Sequence, residues 1–241
     1  MFRIRIQNKK KCIWYCSAVV SFLLFLLLLG WTNHLANTQD AQQMAGRWSE
    51  KKDVAQISCF FSSKAEVTED TIQSFEYSLK NMLQEASITE TSENPSARLW
   101  VDAYSADGKI TLVNGKNTLD ANAIGIGGDF FMFHPLKLIT GAYFSGNDLM
   151  QDYCIIDQDA AWQLFGSNDV VGMTVYIGNV PHIVTGVVQR PDSRMDKAAG
   201  LNSTVVYVSY ETLSAYGTNN GINHYEIVMP NPVDAVSYTH L

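Results

Sequence analysis

The chain has 241 residues, with 17 basic and 24 acidic side chains and a formal charge of −7. Arg3, Arg5, Lys9, Lys10 and Lys11 all precede position 12, so the remainder carries 12 basic against 24 acidic residues, a charge of −12. That balance excludes nucleic acid and an anionic lipid surface as partners of the acidic part, and the abundance of aromatic and β-branched residues excludes a disordered chain.

Residues 12–31 read CIWYCSAVVSFLLFLLLLGW, without a charge. A helix rising ~1.5 Å per residue needs about 20 apolar residues to cross ~30 Å of hydrocarbon, so a transmembrane helix is expected. Basic residues flanking a span stay inside. Residues 1–11 are therefore expected to be a cytoplasmic basic segment, and residues 32–241 an extracytoplasmic domain. A cleaved signal peptide has a shorter apolar core and a small-x-small site after it, and neither is present, which favours a retained anchor. Cys12 and Cys16 open the apolar run instead of following it, unlike a lipoprotein. Trp14, Tyr15 and Trp31 suit the membrane interfaces.

Beyond the span, residues 32–47 are rich in helix formers, so the anchor helix is expected to continue to about Arg47 and break near Gly46. Residues 56–61 form a strand. Thr68 is a helix N-cap with Glu69 and Asp70 in the first turn, followed by an apolar stripe of Ile72, Phe75, Leu79, Met82, Leu83 and Ala86. Residues 89–96 are a polar loop. Residues 98–104 and 109–113 are two strands joined by a tight turn at Asp107-Gly108. Residues 121–127 are extended, and the following apolar stretch is broken by Pro135 and Gly141.

Strand 153–156 leads to Asp157, an N-cap for a short helix that stops at Gly166. Residues 174–177 and 182–188 make a hairpin through GNVP. Strand 205–208, helix 210–216 and strand 225–229 complete the pattern. Hairpins interspersed with short helices indicate an α+β fold with a mixed sheet, preceded by the membrane helix.

Chemistry is sparse. There is no G-x-S-x-G, H-E-x-x-H, Walker A or Cys-x-x-Cys pattern. Gly125, Gly127 and Gly128 lack the third glycine of a dinucleotide loop, since Phe130 stands there, and read as a strand ending in a turn. Asp157 and Asp159 begin like a calcium loop, but Ala161 breaks it. His34, His134, His182, His224 and His240 have no metal-ligand spacing, and His134, before Pro135, reads as structural. Cys59 and Cys154 are either a disulfide or two buried thiols. No catalytic, cofactor-binding or metal-binding residue is assigned, and no cofactor is implied.

Residues 131–188 carry a more specific pattern. Leu138–Phe144 reads L-x-x-G-x-x-F, and residues 154–157 form a strand ending in a polar residue. Ala161–Gly166 reads A-x-x-L-F-G, Val171–Val175 reads x-G-x-x-V, and His182–Val188 reads x-x-V-x-G-V-V. In this order and spacing the chain resembles the MacB-like periplasmic core domain of MacB/FtsX-type ABC transporter permeases, strongly after Ala121 and weakly before it. Locally, Gly141 lets the chain turn before Tyr143 and Phe144 enter the core. Leu164 and Phe165 pack a short helix on the sheet, and Gly172 and Gly186 interrupt strands.

The resemblance implies a non-catalytic permease component whose outer domain transmits motion driven by a separate cytoplasmic ABC ATPase to export or to an extracytoplasmic protein partner, as a homodimer or heterodimer of permeases. Two other classes are compatible with the residues: a membrane-anchored extracytoplasmic hydrolase and a stand-alone ligand-binding or sensor module. The resemblance also implies that the domain is truncated, because a turn and helix start at residues 230–234 are followed by only seven residues.

Overall fold

The structure, a computed structural model, describes residues 9–37, 40–49, 54–88, 98–190, 194–198 and 203–231. The expected loop at 89–96, the residues after 231, His240 and the basic residues Arg3 and Arg5 lie outside the described residues.

The chain divides into two units, Met1–Gln43 and Met44–Leu241. The first holds α1 (Lys9–Asn37) and a 3-10 turn, Asp40–Gln43. Within α1, Ile13–Leu35 is 23 residues long with a mean hydropathy of 2.3 and none of its most apolar window buried, long and apolar enough to cross a bilayer. The helix ends at Asn37, short of the expected continuation to about Arg47 with its break near Gly46.

The second unit runs α2 (Met44–Trp48), β1 (Val54–Phe60), a 3-10 turn (Ser63–Ala65), α3 (Glu69–Glu85), β2 (Val101–Asn114), β3 (Asn117–Gly128), α4 (Phe130–Phe133) and β4 (Leu138–Gly141). It continues with β5 (Tyr153–Asp157), α5 (Gln158–Phe165), β6 (Thr174–Ile177), β7 (Val180–Val188), α6 (Arg194–Ala198), β8 (Val205–Ser209), α7 (Tyr210–Tyr216), β9 (Thr218–Asn219) and β10 (His224–Pro230). The strand order is β1-β10-β2-β3-β8-β5-β7-β4, with β3–β8 and β5–β7 parallel and the other pairs antiparallel. β6 pairs with both β7 and the far end of β2, so β2, β3, β8, β5, β7 and β6 close into a ring. This is the mixed-sheet α+β fold the patterning predicts.

One face of all six ring strands packs with α5 and α7 around Leu112, Ile156, Leu164, Ile177, Val206 and Leu213. The opposite face gathers Val101, Ile126, Phe133, Ile155 and Val228 with α4 and Met44 of α2. A third cluster seats α3 on β10 through Ile72, Leu79, Leu83, Tyr225 and Ile227. The buried stripe of α3 is narrower than its apolar pattern: Phe75 and Met82 are exposed, because the helix rests at the sheet's margin beside the edge strand β1.

The expected turn at Asp107-Gly108 does not form. β2 runs through it unbroken, and the hairpin turns at Gly115 and Lys116 instead. Gly108 is a site of close approach: a Cβ there would lie 2.3 Å from the Thr218 carbonyl oxygen of β9. Gly125 and Gly127 lie inside β3, not in its terminal turn, and the Tyr104 ring lies over Gly127, where a Cβ would come within 2.0 Å of it. The β6–β7 hairpin is tighter than expected, with only Gly178 and Asn179, both at positive φ, between the strands.

Gly186 sits where the β5–β7 register shifts, as a strand interruption does, whereas Gly172 precedes β6 in a turn. Phe144 is buried, but Tyr143 is exposed and stacks on Phe131.

Asp157 caps α5 as expected, its Oδ1 accepting from the Ala160 N–H at 2.7 Å, and Gly166 ends the helix in the left-handed region. Leu164 is 1 % exposed, whereas Phe165 is only partly buried and Trp162 on the same helix is 59 % exposed. Leu164→Ala is expected to cost about 2–5 kcal/mol in chemical denaturation of the full chain in detergent, and Trp162→Ala to stay within ~0.5 kcal/mol. Asp157→Ala, which uncaps α5 and leaves Arg190 with only Asp159 and Thr204 as partners, is expected to cost about 1–3 kcal/mol in the same measurement.

Candidate functional site

β10 carries ionisable residues on both faces. On one, His224 and Glu226 alternate with the apolar residues that face α3. Pairing with β1 sets Phe60 opposite His224 and Ser58 opposite Glu226. The Phe60 ring stacks on His224 at 4.4 Å, and the Ser58 hydroxyl donates to Glu226 Oε1 at 3.0 Å. From α4 comes His134, at the helix C-cap, stacked on Phe130 at 4.6 Å. Its Nε2 lies 2.5 Å from Glu226 Oε2.

The Glu226 side chain is only 4 % exposed. Burial alone would raise its carboxyl, but the His134 hydrogen bond and the charges of His134 and His224 outweigh that and hold it below the usual range. Burial keeps His224 below its ordinary value despite the pull of Glu226. One ligating atom from each of His134, His224 and Glu226 lies within 4.8 Å of the others.

On the other face, Glu76 of α3 meets Asp102 of β2 under Tyr225. The Tyr225 hydroxyl donates to Asp102 Oδ2 at 3.1 Å, and the Tyr104 hydroxyl donates to Glu69 Oε1 at 2.8 Å. Burial, then the charge of Asp102 and a hydrogen bond shared with it, pushes the Glu76 carboxyl up to about 7. Burial also raises Asp102, partly offset by the hydrogen bonds from Glu76 and Tyr225. Below about pH 7 this pair holds a proton. Both phenols are driven well above their ordinary range, first by burial.

The residues that stood out in the sequence are used structurally or left apart. Asp157 and Asp159 both bind Arg190, at 2.7 and 2.6 Å, instead of forming a calcium loop. His182 is buried, its Nδ1–H donating to the Val180 carbonyl at 3.0 Å while Nε2 lies 3.1 Å from the Thr212 hydroxyl oxygen. Cys59 and Cys154 are free thiols, and burial pushes Cys154 up to about 12, a value at which it is inert. A groove of about 700 Å³ is lined by Ile124, Leu136, Lys137, Tyr207 and Arg190. The Arg190 guanidinium there is already engaged by two carboxylates.

The histidine–glutamate cluster is the grouping that sequence spacing missed. His134 and Glu226 are 92 positions apart, and Ser58 and Glu226 are 168 apart. The one local signal was the alternation H-Y-E in residues 224–226, which places two ligand types on one strand face.

The MacB-like periplasmic core domain model matches residues 21–237. A macrolide export ATP-binding/permease protein MacB of Chromobacterium violaceum is 32% identical over 99 residues, 40% of this chain and 15% of that protein. The protein of that name from a Shewanella species is 31% identical over 120 residues, 48% of this chain and 18% of that protein. The matches thus span under a fifth of these relatives' length.

Among solved structures, the periplasmic region of MacB from Actinobacillus actinomycetemcomitans covers 61% of this chain and 68% of its own at 23% identity, with a TM-score of 0.42. The extracellular domain of the noncanonic ABC-type transporter YknZ from Gram-positive bacteria covers 77% and 88% at 18% identity, with a TM-score of 0.42.

The Glu76–Asp102 pair generates a pH dependence. The folded carboxyl near 7 against an ordinary 4.5 means that its contribution to stability is complete below about pH 4.5 and is lost as the pH rises through 7. Glu76→Gln keeps a donor toward Asp102 and cannot ionise. Thermal unfolding of the full chain is expected to show the variant gaining on wild type between about pH 5 and pH 8, whereas parallel curves would show that the carboxyl titrates normally.

Proposed function

The chain belongs to the MacB-like periplasmic core domain family, and from that membership we propose that it is the extracytoplasmic part of an ABC-type permease. In this reading residues 1–11 are cytoplasmic, residues 12–31 cross the membrane, and the domain from residue 32 onward stands outside it. The observation that carries the reading is the family match over residues 21–237, which includes part of the apolar helix as well as the sheet domain. The five basic residues ahead of the span support the orientation.

The domain transmits motion and performs no chemistry on nucleotide. An ABC ATPase on the cytoplasmic side supplies the work, and the outer domain passes it to export or to an extracytoplasmic protein, within a dimer of permeases. The ring of strands supports such a role physically. Each ring strand is paired on both sides, so the ring moves as one body rather than deforming strand by strand. The N-terminal helix is apolar all round, as a lipid-embedded segment is.

Two measurements test this. Protease added to intact spheroplasts is expected to digest the sheet domain while an N-terminal tag stays protected. Protection of the sheet domain would overturn the orientation. Tagged chain purified from its native membrane is expected to bring down a P-loop ATPase and to hydrolyse no ATP by itself. ATP turnover that persists through repurification of the chain alone would overturn the transmission role.

A further inference from the structure

His224 and Glu226 stand two residues apart on β10 and project from one face, and His134 reaches them from the end of α4. His134 Nε2 is 2.5 Å from one Glu226 oxygen, and His224 Nε2 is 3.8 Å from the other. We infer that His134, His224 and Glu226 bind one divalent transition-metal ion of the zinc class, with its fourth coordination position open.

The donor set suits that ion. Two imidazoles and a carboxylate are a recurrent three-ligand set for Zn²⁺, whereas Mg²⁺ and Ca²⁺ take oxygen donors. The spacing is close to what coordination needs. Ligands about 2.0–2.2 Å from a tetrahedral ion lie about 3.4 Å from each other. Here one donor atom from each residue lies within 4.8 Å of the others, with His134 Nε2 2.5 Å from Glu226 Oε2 and His224 Nε2 3.8 Å from Oε1. His134, whose side chain is 25 % exposed, stands at the rim of the cluster and leaves an ion a way in from solvent.

Two further observations point to a ligand. The Nε2 atom of His224 is buried and, among the described residues, has no hydrogen-bond partner. It faces the Glu226 carboxylate at a distance too long for a hydrogen bond, which is where a metal–nitrogen bond would satisfy it. The outer shell is also in place. Ser58 donates to the Glu226 oxygen nearer His224, and the stacked rings of Phe60 and Phe130 fix the planes of the two imidazoles. None of this depends on the permease reading.

The test uses the full chain in detergent, stripped with EDTA and titrated calorimetrically with Zn²⁺. One ion per chain and a raised unfolding temperature are expected, with no response to Mg²⁺ or Ca²⁺. Ser58→Ala is expected to weaken binding by about tenfold, and His134→Ala or His224→Ala by more. Co²⁺ is expected to give visible absorption without a thiolate charge-transfer band, which separates this site from the free thiols Cys16 and Cys59. Circular dichroism checks the fold of each variant, and His134→Gln, at the partly exposed position, replaces any alanine variant that unfolds. No Zn²⁺ binding, undiminished binding in both histidine variants, or a thiolate signature with Co²⁺ would overturn the assignment and leave His134 and Glu226 as an ion pair only.

Discussion

The carboxylate of Asp157 joins four pieces of the domain. It ends β5 with its side chain almost wholly buried. One oxygen caps α5 through the Ala160 N–H, and the other accepts from the Arg190 guanidinium beyond β7 and from the Val205 N–H at the start of β8. Arg190 in turn reaches Asp159 in the first turn of α5 and the Thr204 hydroxyl. A buried carboxylate is tolerated only when its charge and lone pairs are all matched, so these elements are held in one arrangement. The short helix α5 can then press Ala160, Ala161 and Leu164 onto the ring strands, and the register of β5 against β7 and β8 is fixed at its end.

β10 contrasts with this. Apart from Asp157 at the end of β5, His182 in β7 and a few serines, the ring strands bury mainly aliphatic residues, whereas β10 buries Glu226 on one face and places Tyr225 beside the Glu76–Asp102 pair on the other. Polar groups in such numbers are costly in a strand that only had to pack. They gather in the wing formed by β1, β10 and the near end of β2, outside the closed ring. The ring is thus packed mainly by aliphatic side chains, while the wing concentrates ionisable ones.

Much of this fold was legible in the sequence wherever a single segment decided the outcome. Thr68, Asp157 and Gly166 mark helix ends because capping depends on neighbours three or four positions away. The apolar run of α1 and the strand at 153–157 are equally local. Gly108 misled because its role is non-local: the glycine admits the β9 backbone, and nothing in Asp-Gly distinguishes that from a turn. Closure of the ring by β6 was invisible for the same reason. The candidate site was legible only in half. The alternation on β10 put His224 and Glu226 on one face, but His134 and Ser58 arrive through tertiary packing and strand pairing that no spacing encodes.

The seam of the ring has its own consequence. β6 is held to β7 by four residue pairs but to β2 by only two, Leu112 with Ile177 and Val113 with Tyr176. Opening there breaks the fewest ladder bonds and leads straight to Leu112 and Ile177, both fully buried. Amide protons of β6 should therefore exchange with solvent through a small local breathing motion, well before those of β3 and β8, which are released only when the whole domain comes apart. The ring behaves like a clasped band, rigid while its short clasp holds and able to part at one known place.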